Sequence, residues 1–166
     1  MRALYNYLSV ILLLFLATAS FGADTQKADA VLVVKSENRL YLINKGERFA
    51  SFPVTFGANP VGHKQERGDE RTPEGNYLLD YKNANSKFYK SIHISYPNEQ
   101  DRSRARKSGV DPGDHIMIHG QKNGLEWATI VVQLFRWTDG CVALSNGNMD
   151  KVWEAVDSGT PIEIRP

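Results

Sequence analysis

The chain reads as one β-rich α+β domain with two packed sheets. Three observations lead there. Seven short segments carry strand patterning, the first of them joined by turns of three residues, as in a meander. Two or three short helical segments are scattered among them rather than alternating regularly with strands. At 166 residues the chain suits a single domain and can bury most of its apolar surface without staples.

Val31–Lys35 and Arg39–Asn44 are strands separated by Ser36-Glu37-Asn38, and Lys45-Gly46-Glu47 turns into a third, Arg48–Phe56. Pro53 cannot donate to a ladder, so that strand belongs at an edge or carries a bulge. Gly57 to Gly75 is rich in glycine, proline and charge without a period, which marks a long loop of the kind that usually carries function. Asn76–Tyr81 and Ser91–Ser95 return as strands. Glu99–Lys107 is a polar helix ending before Gly109, and His115–His119 alternates as a strand. Leu125–Phe135 is a short helical segment. Ser145 or Asn146 caps a helix over Met149–Val156, Gly159 stops it, and Pro161–Arg165 is the last strand.

The beginning of the chain differs from the rest. Arg2, the apolar run Leu8 to Leu16, and the small residues from Ala17 to Ala23 have the layout of a cleaved secretory signal peptide over 1–23, with cleavage between 19 and 23. The apolar run is too short to span a bilayer comfortably, so no stable membrane anchor is expected after cleavage. A net charge of +1 gives no electrostatic case for nucleic acid. Nothing suggests a large apolar interface, and a monomer is expected.

Cys141 is the one cysteine of an apparently exported chain, so it has no intramolecular disulfide partner. It follows Gly140, whose conformational freedom lets the backbone turn sharply and present both the sulfur and nearby N–H groups. Most lone cysteines are small buried hydrophobes, so this pair is weak evidence by itself. A thiol nucleophile also needs a base. Of His63, His93, His115 and His119, the last sits at a strand end before Gly120. His115 shares its phase, but on a strand the two lie about 13 Å apart at roughly 3.3 Å per residue, too far to share a metal ion. No carboxylate cluster completes a metal site, and no metal or cofactor is expected. His93 reads as a solvent-facing strand residue. Lys64, Arg67 and Arg71 in the long loop are candidates for holding substrate carboxylates. Trp127, Trp137 and Trp153 read as core or rim residues before they read as groove walls.

Ile118-His119-Gly120, then Thr138-Asp139-Gly140-Cys141-Val142, with Arg71-Thr72-Pro73-Glu74-Gly75 upstream, resemble the YkuD-type L,D-transpeptidase catalytic domain over 31–166. The resemblance implies a YkuD-like β-sandwich, Cys141 as nucleophile, His119 as general base, and oxyanion stabilisation near Gly140 and Cys141. It also implies action in the periplasm on peptidoglycan stem peptides. Arg71, Thr138 and Asp139 are then the substrate-binding candidates.

Three departures bear on the net reaction. The spacer from His119 to Cys141 (141 − 119 = 22) is longer than is usual, with Leu125-Glu126-Trp127 looking inserted. Asp139 stands where a basic residue is common, and Ala143 where arginine is common. The resulting Trp-Thr-x-Gly-Cys-x-Ala form resembles a subgroup that includes hydrolases of a peptidoglycan–lipoprotein link. Three readings follow: an L,D-transpeptidase acting through a thioester, a hydrolase releasing lipoprotein or D-alanine with the same Cys/His pair, and an inactive peptidoglycan-binding module.

Overall fold

The computed structural model describes residues 26–125 and 136–166. The leader and most of the segment Leu125–Phe135 lie outside these residues, as does Trp127.

Eight strands and two helices are present among the described residues: β1 Ala30–Val34, β2 Arg39–Asn44, β3 Glu47–Pro53, β4 Gly75–Ser86, β5 Tyr89–Ile94, α1 Glu99–Ser108, β6 Met117–His119, β7 Val142–Ala143, α2 Asn146–Ala155 and β8 Thr160–Arg165. The β-rich α+β class is as expected. The strands form one hydrogen-bonded sheet in the order β3-β2-β1-β8-β4-β5-β6-β7, where two packed sheets were anticipated. The sheet curls until its ends meet. Thr55, just past the edge strand β3, bridges Ala143 of β7 at the other end, and Gly57 bridges Thr138. Pro53 is exposed at the end of that edge strand, where its missing donor costs no ladder bond.

Curling places one face of every strand around a single core. Val31, Leu42, Phe52, Leu79, Ile92, Ile118, Val142 and Ile162 belong to one buried cluster, one from each of the eight strands. Helix α2 closes it with Met149, Val152 and Ala155, spaced three apart so that they share a stripe. Ser145 caps α2 by accepting from the Asn148 N–H at 3.4 Å. Gly159 lies beyond the helix, in the turn into β8, and donates to the Leu79 carbonyl at 2.7 Å.

Helix α1 is polar on nearly every face, and its termini explain its existence. Asn98 accepts from Gln100 and Asp101, Asp101 reaches back to the Asn98 N–H, and Gly109 ends the helix in the left-handed region. Asp101 is buried and accepts from Tyr77 Oη at 3.0 Å. It also lies 3.0 Å from His63 Nε2, which fastens α1 to β4 and to the long loop.

Three differences from the sequence reading lie around the site. Strand β4 runs to Ser86, five residues past Tyr81, and pairs back through β5 in a long hairpin. His115 is not in a strand: its φ is +58°, its side chain is exposed and pairs with Asp114 at 2.7 Å, and β6 begins at Met117. His93 is mostly covered rather than solvent-facing, stacked on Tyr81 at 4.6 Å and 2.6 Å from Asp80 Oδ1.

Candidate active site

Cys141 enters the site from a turn locked at both ends. The Thr138 N–H donates to the Phe56 carbonyl at 3.5 Å, and Thr138 Oγ1 donates to the Cys141 carbonyl at 2.8 Å. Gly140 has φ +113°, and a Cβ there would stand 2.4 Å from the Arg71 carbonyl oxygen and 3.4 Å from Ile116. Only glycine fits this close approach. The position before Cys141 is thus set by packing against the long loop as well as by the turn.

The sulfur rests on the start of β6. The Met117 N–H points at Sγ from 3.4 Å, and the thiol faces the His115 carbonyl at 3.7 Å. Burial pushes the thiol up to about 11; the Met117 N–H and the Lys64 charge oppose that shift, and Asp139 reinforces it.

His119 ends β6 and is 3% exposed. Its Nδ1 lies 2.6 Å from the Gly120 carbonyl, so Nδ1 carries the proton and Nε2 keeps its lone pair. The ring lies 4.7 Å from Phe88 and meets Trp137 edge-on at 5.5 Å. Burial lowers its pKa to about 4, partly offset by the Gly120 carbonyl. At neutral pH the cavity therefore holds a neutral thiol and a neutral imidazole. A base of this kind acts by taking the proton as the sulfur attacks, rather than by holding a ready-made ion pair.

Cys141, His119, Thr138 and Asp139 all line one cavity of about 890 Å³. Gly140 is buried behind it. Arg71 is not among its lining residues: its carbonyl packs on Gly140, and Nη1 lies toward Gly62. The Thr138 hydroxyl is spent on the turn itself. Asp139 is exposed, two residues before Cys141.

The long loop forms one wall, and its cations there are paired, one within the loop and one with the segment after α1. Lys64 is buried against Asp69 at 2.7 Å, and Arg67 pairs with Asp111 at 2.7 Å and Asp114 at 3.2 Å. Asp69 is the hub: it also accepts from the N–H groups of Gln65, Glu66 and Arg71. Burial alone would raise its pKa, but Lys64 and these N–H donors outweigh that and hold it below the usual carboxylate range. Lys35 pins the other half of the loop through Gly62, Thr72 and Glu74.

The opposite wall was missed in the sequence. Phe88, Ser91 and Met117 line the cavity, and register explains why. Ser91 pairs with His119 and His93 with Met117 across β5 and β6, so these residues share the face opposite the core. The alternation of Ile92 and Ile94 was a usable signal for that face; the aromatic at 88 had none.

A model of the YkuD L,D-transpeptidase catalytic domain matches residues 28–164. Escherichia coli YafK is 27% identical over 132 residues, covering 76% of this chain and 46% of that protein. The chain thus spans about half the length of the curated relatives it matches. Among solved structures, Pgp2, a helical cell shape determining protein of Campylobacter jejuni, superposes with TM-score 0.61 at 26% identity, covering 81% of this chain and 46% of that one. An L,D-transpeptidase from Mycobacterium tuberculosis superposes with TM-score 0.54 at 16% identity, covering 82% and 57%, which bears on the fold. By the extent of the match and the shared architecture, this chain belongs to the YkuD L,D-transpeptidase catalytic domain family.

Proposed function

We propose that the chain is a cysteine acyltransferase acting on peptidoglycan stem peptides, with Cys141 as nucleophile and His119 as base. The observation that carries this is the shared cavity: a neutral imidazole with its Nε2 lone pair uncommitted lines the same cleft as the lone thiol. Sγ attacks the carbonyl at the L-centre of a diaminopimelate residue while His119 Nε2 takes the thiol proton. Backbone N–H groups at Gly140 and Cys141 stabilise the oxyanion. The Gly140 N–H has only a long 3.4 Å contact to Thr138 Oγ1 to give up. Collapse of the tetrahedral species breaks the bond to the leaving amine, which receives the proton from His119 and leaves a thioester. An acceptor amine then gives transpeptidation, and water gives hydrolysis.

The choice of acceptor separates an L,D-transpeptidase from a hydrolase that frees D-alanine or a linked lipoprotein. Asp139 and Ala143 at positions where bases are usual favour keeping the second reading. Action on peptidoglycan places the domain outside the cytoplasm, in keeping with a cleaved leader. No helix among the described residues is long and apolar enough to cross a membrane.

The test is incubation of the protein with purified sacculi, with and without bound lipoprotein, beside a Cys141→Ala control, and mass spectrometry of the products. New crosslinks or exchanged terminal D-amino acids mean transpeptidation; trimmed stems or freed lipoprotein mean hydrolysis. The absence of any Cys141-dependent product would leave a peptidoglycan-binding module.

A further inference from the structure

The two walls of the cavity differ in how their charge is used. On the loop wall each cation faces a carboxylate, Lys64 on Asp69 and Arg67 on Asp111 and Asp114. On the other side Lys87 and Lys122 also line the cavity. Both are exposed, and among the described residues neither ammonium has a hydrogen-bond acceptor or an ion pair.

The segments that carry these lysines are held together. Asn123 is the clamp: its N–H donates to the Lys87 carbonyl at 3.1 Å, its side chain donates to the Ser86 carbonyl at 3.2 Å, and its Oδ1 accepts from the Tyr89 N–H at 2.8 Å. The tip of the β4–β5 hairpin and the turn after β6 are thereby fixed side by side, each presenting one lysine. The same end of the cavity holds the catalytic base: Phe88, next to Lys87, packs on the His119 ring, and His119 lies three residues before Lys122. Two like charges on adjoining, hydrogen-bonded segments repel unless an anion lies between them.

We propose that Lys87 and Lys122 form a carboxylate-binding subsite that selects acidic over amidated stem peptides. The inference rests on the reading of the cavity as a stem-peptide site and adds to it which part of the stem is recognised. Peptidoglycan stems carry free carboxylates on the glutamate and diaminopimelate residues, and these are the groups that amidation removes. An ammonium pair is suited to them as point charges on flexible stems, tolerant of carboxylate geometry.

The test measures binding of the synthetic tetrapeptide L-alanyl-γ-D-glutamyl-meso-diaminopimelyl-D-alanine, and its amidated counterpart, to Cys141→Ala protein by calorimetry. Exposed pairs of this kind contribute modestly, so Lys87→Ala combined with Lys122→Ala should raise the Kd of the acidic peptide about tenfold. The amidated peptide should bind equally to both proteins, and Lys107→Ala, on α1, should change neither. Added salt should weaken the acidic peptide more than the amidated one, which keeps its terminal carboxylate and amines. An unchanged Kd for the acidic peptide in the double variant overturns the subsite, as does equal loss for both peptides. Turnover of the acidic peptide by the native protein, run in parallel, separates the two levels: Cys141-dependent products with no lysine effect leave the acyltransferase standing and remove the subsite.

Discussion

Alkylation of Cys141 gives a direct measure of the state of its thiol and of whether His119 activates it at rest. The chain has one cysteine, so iodoacetamide labelling followed by mass spectrometry reports that sulfur alone. Burial raises the thiol from 9.0 to about 11, two units. The thiolate fraction at pH 7.5 is then about a hundredfold below that of an unstructured cysteine. A more basic thiolate is more nucleophilic, with a Brønsted slope of about 0.45, which returns roughly eightfold over two units. The net expectation is alkylation about tenfold slower than in a short unstructured peptide, rising with pH through 9 without a plateau. Because His119 is neutral in the resting site, His119→Ala should leave this rate nearly unchanged while abolishing turnover. A rate at pH 7 that matches or exceeds the peptide, with an inflection below pH 8, would mean a preformed thiolate–imidazolium pair and would refute the reasoning. Slow labelling alone says nothing against catalysis here; turnover has to decide that.

The pH dependence of stability offers a second check. The folded pKa of His119 is lowered from 6.5 to about 4, so the unfolded chain takes up the proton first, and stability is lost as pH falls through that window. The full loss is about 3 kcal/mol, readable from urea midpoints between pH 7 and 4, and His119→Gln should flatten that part of the profile. Gly140→Ala should cost about 2–4 kcal/mol, since its Cβ would meet the Arg71 carbonyl oxygen at 2.4 Å in a backbone region that suits glycine; a wild-type urea midpoint would contradict this. Thr138→Val keeps the volume and removes the 2.8 Å bond to the Cys141 carbonyl, so about 1–2 kcal/mol of stability and most turnover should go together. Asp69→Asn weakens the Lys64 pair at the hub of the cavity wall, and faster proteolysis between residues 64 and 71 is expected in timed digestion.

Much of this architecture was legible because burial leaves a period. Ile92 and Ile94, and the apolar residues of β2 and β8, alternate as a half-buried sheet requires, while β1 is a short continuous apolar run buried along nearly its whole length, so those strands were placed within a residue or two. His119 and Cys141 stood out for chemical reasons, a strand-end imidazole before glycine and an unpaired thiol after one. Elements that bury little were not legible. Strand β7 is two residues long, below any periodic signal, and the outer half of β4, Lys82 to Ser86, is polar because the hairpin projects beyond the core. His115 followed the alternation of β6 and was assigned to it, but its left-handed backbone ends the pattern. The roles of Thr138 and Arg71 depend on backbone approach between segments far apart in sequence, which residue identity does not encode.

The closure of the sheet has a consequence for how the candidate site comes to exist. Thr55 and Gly57 meet Ala143 and Thr138 across more than half of the described chain, and the loop from 64 to 71 reaches Gly140 only from there. Cys141 therefore stands at a seam between early and late parts of the chain, and no stretch of local structure can position it alone. Contacts of such long range are slow to form. In rising denaturant the seam should open before the strands melt, so activity should vanish while the far-ultraviolet circular dichroism is still native.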